Sequence, residues 1–428
     1  MYKYVNELFD FINSSPTCFH NVALIKAILK NFKYVELKEN ETWSLEANKS
    51  YFVSRDSASI IAFKIPGELN NIGFNIVASH NDSPTFKIKP NGEISTSDYK
   101  KLNTEPYGGM IASTWFDRPL GIAGRVMVKT VDGIEERLVN LSGHNIVIPS
   151  VAIHLNRNGS DLNMQNDLLP VIGLKTDDTT FTKQVEKSSI FDETEKILAH
   201  DLFLYNKDKG TTAGYDNEFI LSPKLDDLEC VFASLEAFLE AKDVKNISLC
   251  AIFDNEEVGS GSNHGAGSTF LTDVLERICA SFGIDKYAAY ASSMLVSADN
   301  AHAIHPAHPE KSDPSNMVSL NKGIVIKSHA GLSYTTESLS SSIFKALCEK
   351  ANVPYQDYTN RSDMRGGSTL GHIALEKLSI ISIDVGLAQL AMHSSLETAG
   401  AKDIEYMVKA LKEFFNSKIE MNNKIIKY

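Results

Sequence analysis

The stretch Ile252-Phe-Asp-Asn-Glu-Glu-Val-Gly-Ser260 constrains the fold more than any other: a short apolar run ends in two adjacent carboxylates and then breaks at a glycine. The run reads as a buried strand. At a strand end the chain turns, so Glu256 and Glu257 can address one pocket with different tasks. One carboxylate can bind a metal while the other handles a proton. Alone, a Glu-Glu pair is more often a solvated acidic loop, so the reading rests on what the rest of the chain brings to the same place.

The 428 residues, 43% hydrophobic and 22% charged, suffice for two domains and a sizeable core. A net charge of -12 argues against a nucleic-acid or anionic-membrane partner, since a phosphate-binding surface needs an excess of Lys and Arg. No run approaches the roughly 18 to 20 apolar residues of a membrane span. Met1-Tyr-Lys-Tyr-Val-Asn-Glu lacks a basic-then-apolar signal, so a cytoplasmic location is expected. The five cysteines, Cys18, Cys230, Cys250, Cys279 and Cys348, are scattered without C-x-x-C spacing and read as buried, reduced thiols.

Apolar spacing from Val5 to Leu29 predicts two helices, broken at Ser14-Ser-Pro16 and restarted after Thr17 as N-cap. From Ser50 to His80 the pattern turns to strands, and Gly73-Phe-Asn-Ile-Val-Ala-Ser reads as a central strand buried on both faces. Between 87 and 216, short β-type runs and Gly and Asn turns predict a mostly β insertion, with the polar stretch 158–165 least expected to hold regular structure. Strand-helix alternation then resumes: a helix over about 228–241, the strand Ile247 to Phe253, a strand at Ile380 to Asp384 and a last helix near Ile404 to Phe415. The chain is expected to be α/β, with a discontinuous unit of 1–86 and 217–428 whose mixed central sheet is flanked by helices, and an inserted unit over 87–216.

Candidate ligands fall at strand ends or just beyond: His80, Asp226, the Glu256–Glu257 pair, Asp299 and His393. Residues distant in sequence converge in this way when their strands finish side by side. Two histidines with several carboxylates suit Zn²⁺, Mn²⁺ or Co²⁺. An odd carboxylate between two ions would bridge them at roughly 3.5 to 4 Å. Asp226 and Asp227 could instead cap the following helix. His302, His305 and His308 imitate a chelating run, but Pro306 and Pro309 keep them off one regular helix, so they are assigned to a loop that shapes the site.

Taken together, His80-Asn-Asp-Ser-Pro, Trp115-Phe-Asp-Arg, Ala152-Ile-His-Leu, Lys224-Leu-Asp-Asp-Leu, Asp254-Asn-Glu-Glu-Val-Gly-Ser, Ser297-Ala-Asp-Asn-Ala-His-Ala-Ile-His-Pro, Gly367-Ser-Thr and Met392-His-Ser resemble the aspartyl aminopeptidases, from near residue 17 to the final helix and in the same order. The resemblance implies a dinuclear zinc exopeptidase: an α/β metallopeptidase core with an inserted β dimerisation domain. It implies two divalent ions per subunit, with Asp226 bridging, His80 and Asp299 on one ion, Glu257 and His393 on the other. Asp82 would orient His80, and Glu256 would be the general base. It also implies a homo-oligomer, a dodecamer built from dimers, in which His154 reaches the neighbouring subunit's site. The β runs of the insertion, whose edges need cover, point to an oligomer as well.

The implied reaction is removal of one N-terminal residue from a peptide with a free N-terminus. The ions lower the pKa of an attacking water and Glu256 takes its proton. A preference for Asp or Glu needs a fixed cation. Lys327 closes the apolar run Gly323-Ile-Val-Ile-Lys and is the candidate, with Tyr334 matching the family's tyrosine nearby; the alternative is that Lys327 pairs with a protein carboxylate. After Arg361-Ser-Asp-Met the chain departs from the family form, carrying Arg365-Gly366 and Gly371-His372-Ile, and Arg365 is a second candidate cation. The rival readings are a broader-specificity aminopeptidase, a deacylase on a related core, indifferent to a free amine, and a metal-binding scaffold without catalysis.

Overall fold

A computed structural model describes residues 2–156, 162–175, 178–364, 366–422 and 425–428. Arg365 and part of the polar stretch 158–165 lie outside the described residues. The two N-terminal helices form as expected, Val5–Asn13 and Cys18–Asn31, although Thr17 spends its hydroxyl on His20 Nδ1 (2.9 Å) rather than on a cap.

A mixed nine-stranded sheet organises the molecule, in the order Val35–Leu37, Ser50–Arg55, Ser59–Lys64, Ile247–Phe253, Phe74–His80, Met294–Ala298, Ile381–Gly386, Ile324–Ser328, Tyr355–Thr359. Phe74–His80 runs parallel to both neighbours, and Phe253 lies directly beside His80. All seven of its residues are buried, because helices cover both faces and side chains alternate between them. Val77, Cys250, Ile252 and Val296 join one core, with the helices Leu225–Glu240 and Asp403–Asn416. Ile76, Ala78, Leu249, Ala251 and Leu295 join the other, with the helix Phe270–Phe282. This is the continuous apolar patterning that the sequence displayed.

A separate six-stranded antiparallel sheet follows the order Ile134–Asn140, Leu120–Lys129, Lys196–Asn206, Thr85–Thr96, Tyr99–Tyr107, Val171–Leu174. It packs a core of its own around Phe86, Trp115, Val126 and Leu202. The α-helix Phe181–Ser189 lies in this region, with the Thr180 hydroxyl accepting from the Lys183 N–H. Thr211–Ala213, expected within the insertion, pairs instead with Phe219–Ser222 in a five-stranded sheet that continues through Glu397–Gly400, Ala388–Leu390 and Ala301–His302. The five cysteines are buried and free. No helix among the described residues is long and apolar enough to cross a membrane.

Candidate active site

Three adjacent parallel strands finish at one edge, and each delivers its residues there. Phe74–His80 ends on His80. Ile247–Phe253 runs into the short turn Glu256–Val258, entered through Asn255 at φ 64 and left through Gly259 at φ 93, a left-handed exit that glycine adopts without strain. Met294–Ala298 is followed at once by Asp299. Asp226 and Asp227 stand at the head of the helix Leu225–Glu240 in non-helical conformation and cap nothing, which overturns the capping alternative. His393, at φ 65, sits in the turn between the strands Ala388–Leu390 and Glu397–Gly400 of the small sheet.

These residues converge. Asp226 faces both histidines, with Oδ1 3.5 Å from His80 Nε2 and Oδ2 3.4 Å from His393 Nε2. His393 Nε2 also lies 3.5 Å from Glu257 Oε2. Ligand atoms of His80, Asp226, Asp227 and Asp299 lie within 4.8 Å of one another, and so do those of Asp226, Glu257 and His393. Asp226 is common to both sets. Glu256 groups with His80 and Glu257.

The electrostatics follow from burial. Burial pushes the Glu256 carboxyl up to about 7 and Glu257 well above the ordinary carboxylate value. Burial would raise Asp226 too, but the imidazoles of His393 and His80 facing its two oxygens hold it well below the usual range. Burial opposes charge on His80, yet Asp226 and Asp82 raise it well above an ordinary histidine. Among the described residues, Asp226 Oδ1, Asp227 Oδ1 and Glu257 Oε1 are buried without a hydrogen-bond partner. Buried carboxylate oxygens are costly unless a cation compensates them, so this nitrogen and oxygen donor set fits a divalent ion.

Two further carboxylates grip the backbone beneath the cluster. Asp82 accepts the Glu256 and Glu257 N–H groups, each at 3.1 Å, and its Oδ1 lies 3.4 Å from His80 Nδ1. Glu397 accepts the N–H groups of Asp226 (3.0 Å) and His393 (2.7 Å). Asp227 Oδ2 accepts the His80 N–H at 3.2 Å. Sequence reasoning placed Asp82 but missed Glu397 and the Asp227 contact. The only available signal for Glu397 was a carboxylate four residues after His393.

Lys327 is buried and has protein partners. It donates to the Asp299 and Asn300 carbonyls at 2.7 and 3.1 Å and lies 3.5 Å from Asp299 Oδ2. Burial disfavours its charge, but Asp299 together with Tyr334 and Asp384 more than offsets that and holds it above the ordinary lysine range. Tyr334 is buried beside it, its ring centroid 5.3 Å from Nζ. His154 is exposed in the turn at 153–155, flanked by exposed Ile153 and Leu155, rather than interior to the β region. His302 ends a two-residue strand while His305 and His308 lie in the loop beyond, and none joins a ligand group. His372 bonds the Thr369 carbonyl through Nδ1 at 2.9 Å.

A mixed sheet whose strand ends bring His80, Asp299 and the Glu256–Glu257 turn against Asp226 and His393 has the architecture of the class of metal-dependent hydrolases. The family described as "Aminopeptidase I zinc metalloprotease (M18)" matches residues 11–415, and the chain belongs to this family. It is a metallo-aminopeptidase. It is 47% identical to the "Probable M18 family aminopeptidase 2" of Clostridium novyi (97% of this chain, 99% of the relative). It is 34% identical to a "Probable aspartyl aminopeptidase" of Ricinus communis (98% and 96%). The crystal structure of prApe1 superposes with TM-score 0.91 at 27% identity (96% and 93%). The S. cerevisiae mApe1 dodecamer superposes with TM-score 0.84 at 25% (96% and 96%).

Proposed function

We propose that this aminopeptidase removes single N-terminal residues, with preference for Asp and Glu, at a centre holding two divalent ions. The observation that carries the reading is Asp226, whose two carboxylate oxygens face the two histidines separately. His80 and Asp299 would hold one ion, His393 and Glu257 the other, with Asp226 between. Zn²⁺ is the first candidate, from the family, and Mn²⁺ or Co²⁺ suit the same donors. Such ions supply Lewis-acid activation of a water and of the scissile carbonyl. Glu256, beside the cluster but outside the proposed ligand set, accepts the proton of the attacking water and returns it to the leaving amine. Asp82 fixes the His80 ring and the Glu256–Glu257 backbone.

The acidic preference is supported by the name of the Ricinus relative and by Lys327. Two of its protons serve backbone carbonyls, and among the described residues the third has only Asp299 Oδ2 at 3.5 Å, beyond hydrogen-bonding distance. A substrate carboxylate would take that proton, over the Tyr334 ring. We further assign 87–216 to a dimerisation domain, 1–86 and 217–428 to the catalytic domain, and the whole to a dodecamer in which exposed His154 serves the neighbouring subunit's site; the mApe1 dodecamer supports this assembly. A cytoplasmic location accords with five unpaired buried thiols.

The test is kcat/KM for peptides with N-terminal Asp, Glu, Leu and Lys, free and N-acetylated, using metal-reconstituted wild type and Lys327→Met. The reading predicts cleavage of free Asp and Glu peptides first, none of acetylated ones, and loss of the acidic preference in Lys327→Met. Equal cleavage of acetylated peptides would favour a deacylase. A wild-type preference for Leu would favour the broader aminopeptidase.

A further inference from the structure

The segment following the strand Tyr99–Tyr107 leaves the six-stranded sheet and touches both halves of the metal cluster. The Tyr107 hydroxyl donates to Asp82 Oδ2 at 2.7 Å and accepts from Asn255 Nδ2 at 2.9 Å. Its ring is anchored in its own sheet by an edge contact with Phe203, centroids 5.5 Å apart. Two residues on, the Gly109 carbonyl lies 2.5 Å from His393 Nδ1, and the Ile111 N–H donates to the His393 carbonyl at 3.0 Å. The Thr114 hydroxyl then accepts the Ser395 N–H at 2.9 Å. Gly108, between these contacts, has φ +73, and a Cβ there would stand 3.1 Å from the Glu257 Cβ. The segment thus lies closely against the turn that carries Glu257.

We infer that residues 107–111 are a positioning element for the hydrolytic centre, with Tyr107 fixing the Asp82 carboxylate and the Gly109 carbonyl fixing the His393 ring. The inference rests on the metal-site reading proposed above. Without the Tyr107 hydroxyl, Asp82 loses the shortest of its three hydrogen bonds, and the carboxylate that aligns His80 with the Glu256–Glu257 turn is held only by the two N–H groups of that turn. A hydrogen bond from His393 Nδ1 to the Gly109 carbonyl leaves Nε2 to face Asp226 and Glu257, the nitrogen that an ion requires. The inserted region therefore completes the active site of its own chain.

Tyr107→Phe isolates one hydroxyl and keeps the ring and its Phe203 contact. In the full-length cobalt-substituted protein the variant is expected to alter the visible Co²⁺ spectrum and to weaken metal affinity by about 10- to 100-fold, the usual effect of removing a hydrogen bond that orients a ligand. Because Tyr107 acts through Asp82, the double variant with Asp82→Asn should bind metal no more weakly than Asp82→Asn alone. Tyr99→Phe, half-exposed at the other end of the strand, should match wild type. Should Tyr107→Phe not fold, Asn255→Gly removes the other contact to the hydroxyl while keeping a residue suited to φ 64, and the same spectral change is expected. Wild-type spectrum and affinity in Tyr107→Phe, or additive losses with Asp82→Asn, would overturn the inference. A wild-type protein that takes up no cobalt would instead overturn the metal-site reading beneath it.

Discussion

The two halves of the cluster are built differently. His80 and Asp299 stand at the ends of adjacent parallel strands in the middle of the large sheet, and the His80 side chain is 2% exposed. His393 sits on a turn of the small sheet at φ 65, is 32% exposed, and is held by contacts from Gly109, Ile111 and Glu397. One half inherits its geometry from strand register, which packing on both faces fixes. The other is assembled from loops, and loops open at lower free energy than core strands. On the ligand set proposed above, Asp226 would couple a rigid subsite to a yielding one, and the difference teaches that the His393 side should be the labile half.

The largest effect should come from the residue common to both halves. Asp226→Asn is expected to lose both ions and all measurable turnover, seen by elemental analysis of the purified protein; retention of one ion would show that the halves are independent. Glu256→Gln should keep both ions and lose about 10² to 10⁴ in kcat, because proton transfer fails while the ligands remain. Metal loss in that variant would make Glu256 a ligand and redraw the boundary between the halves. Smaller changes should separate the two supports. Glu397→Gln weakens the grip on His393, and Asp82→Asn the grip on His80 and the Glu turn, each by about 10- to 100-fold in metal affinity. Because Glu397 also holds the Asp226 N–H, Glu397→Gln should speed loss of the ion on the His393 side most and of the other less.

The rigid half was the legible half. A continuous apolar run ending in His80 and another ending before Glu256 are what a doubly covered parallel strand looks like in sequence, and their ligands follow from where such strands stop. The supports were not legible. Glu397 works through the N–H of Asp226, Tyr107 through a carboxylate 25 residues away, and Gly109 through a carbonyl 284 residues from His393, and such contacts leave no periodic signature. Lys327 shows the same limit: burial of a cation could be read from Gly323-Ile-Val-Ile-Lys, but not the two backbone carbonyls that receive it. The pairing of Thr211–Ala213 with the small sheet was equally hidden in the insertion expected over 87–216, because strand partners, not local composition, decide it.

The central claim is that two unequal subsites share Asp226. Anomalous diffraction at the zinc edge, from crystals of the loaded enzyme before and after a brief chelator soak, tests it most directly. The account predicts two peaks flanking Asp226 before the soak, and afterwards only the one between His80 and Asp299. A single peak at the outset, or survival of the peak beside Glu257 and His393 alone, would contradict it.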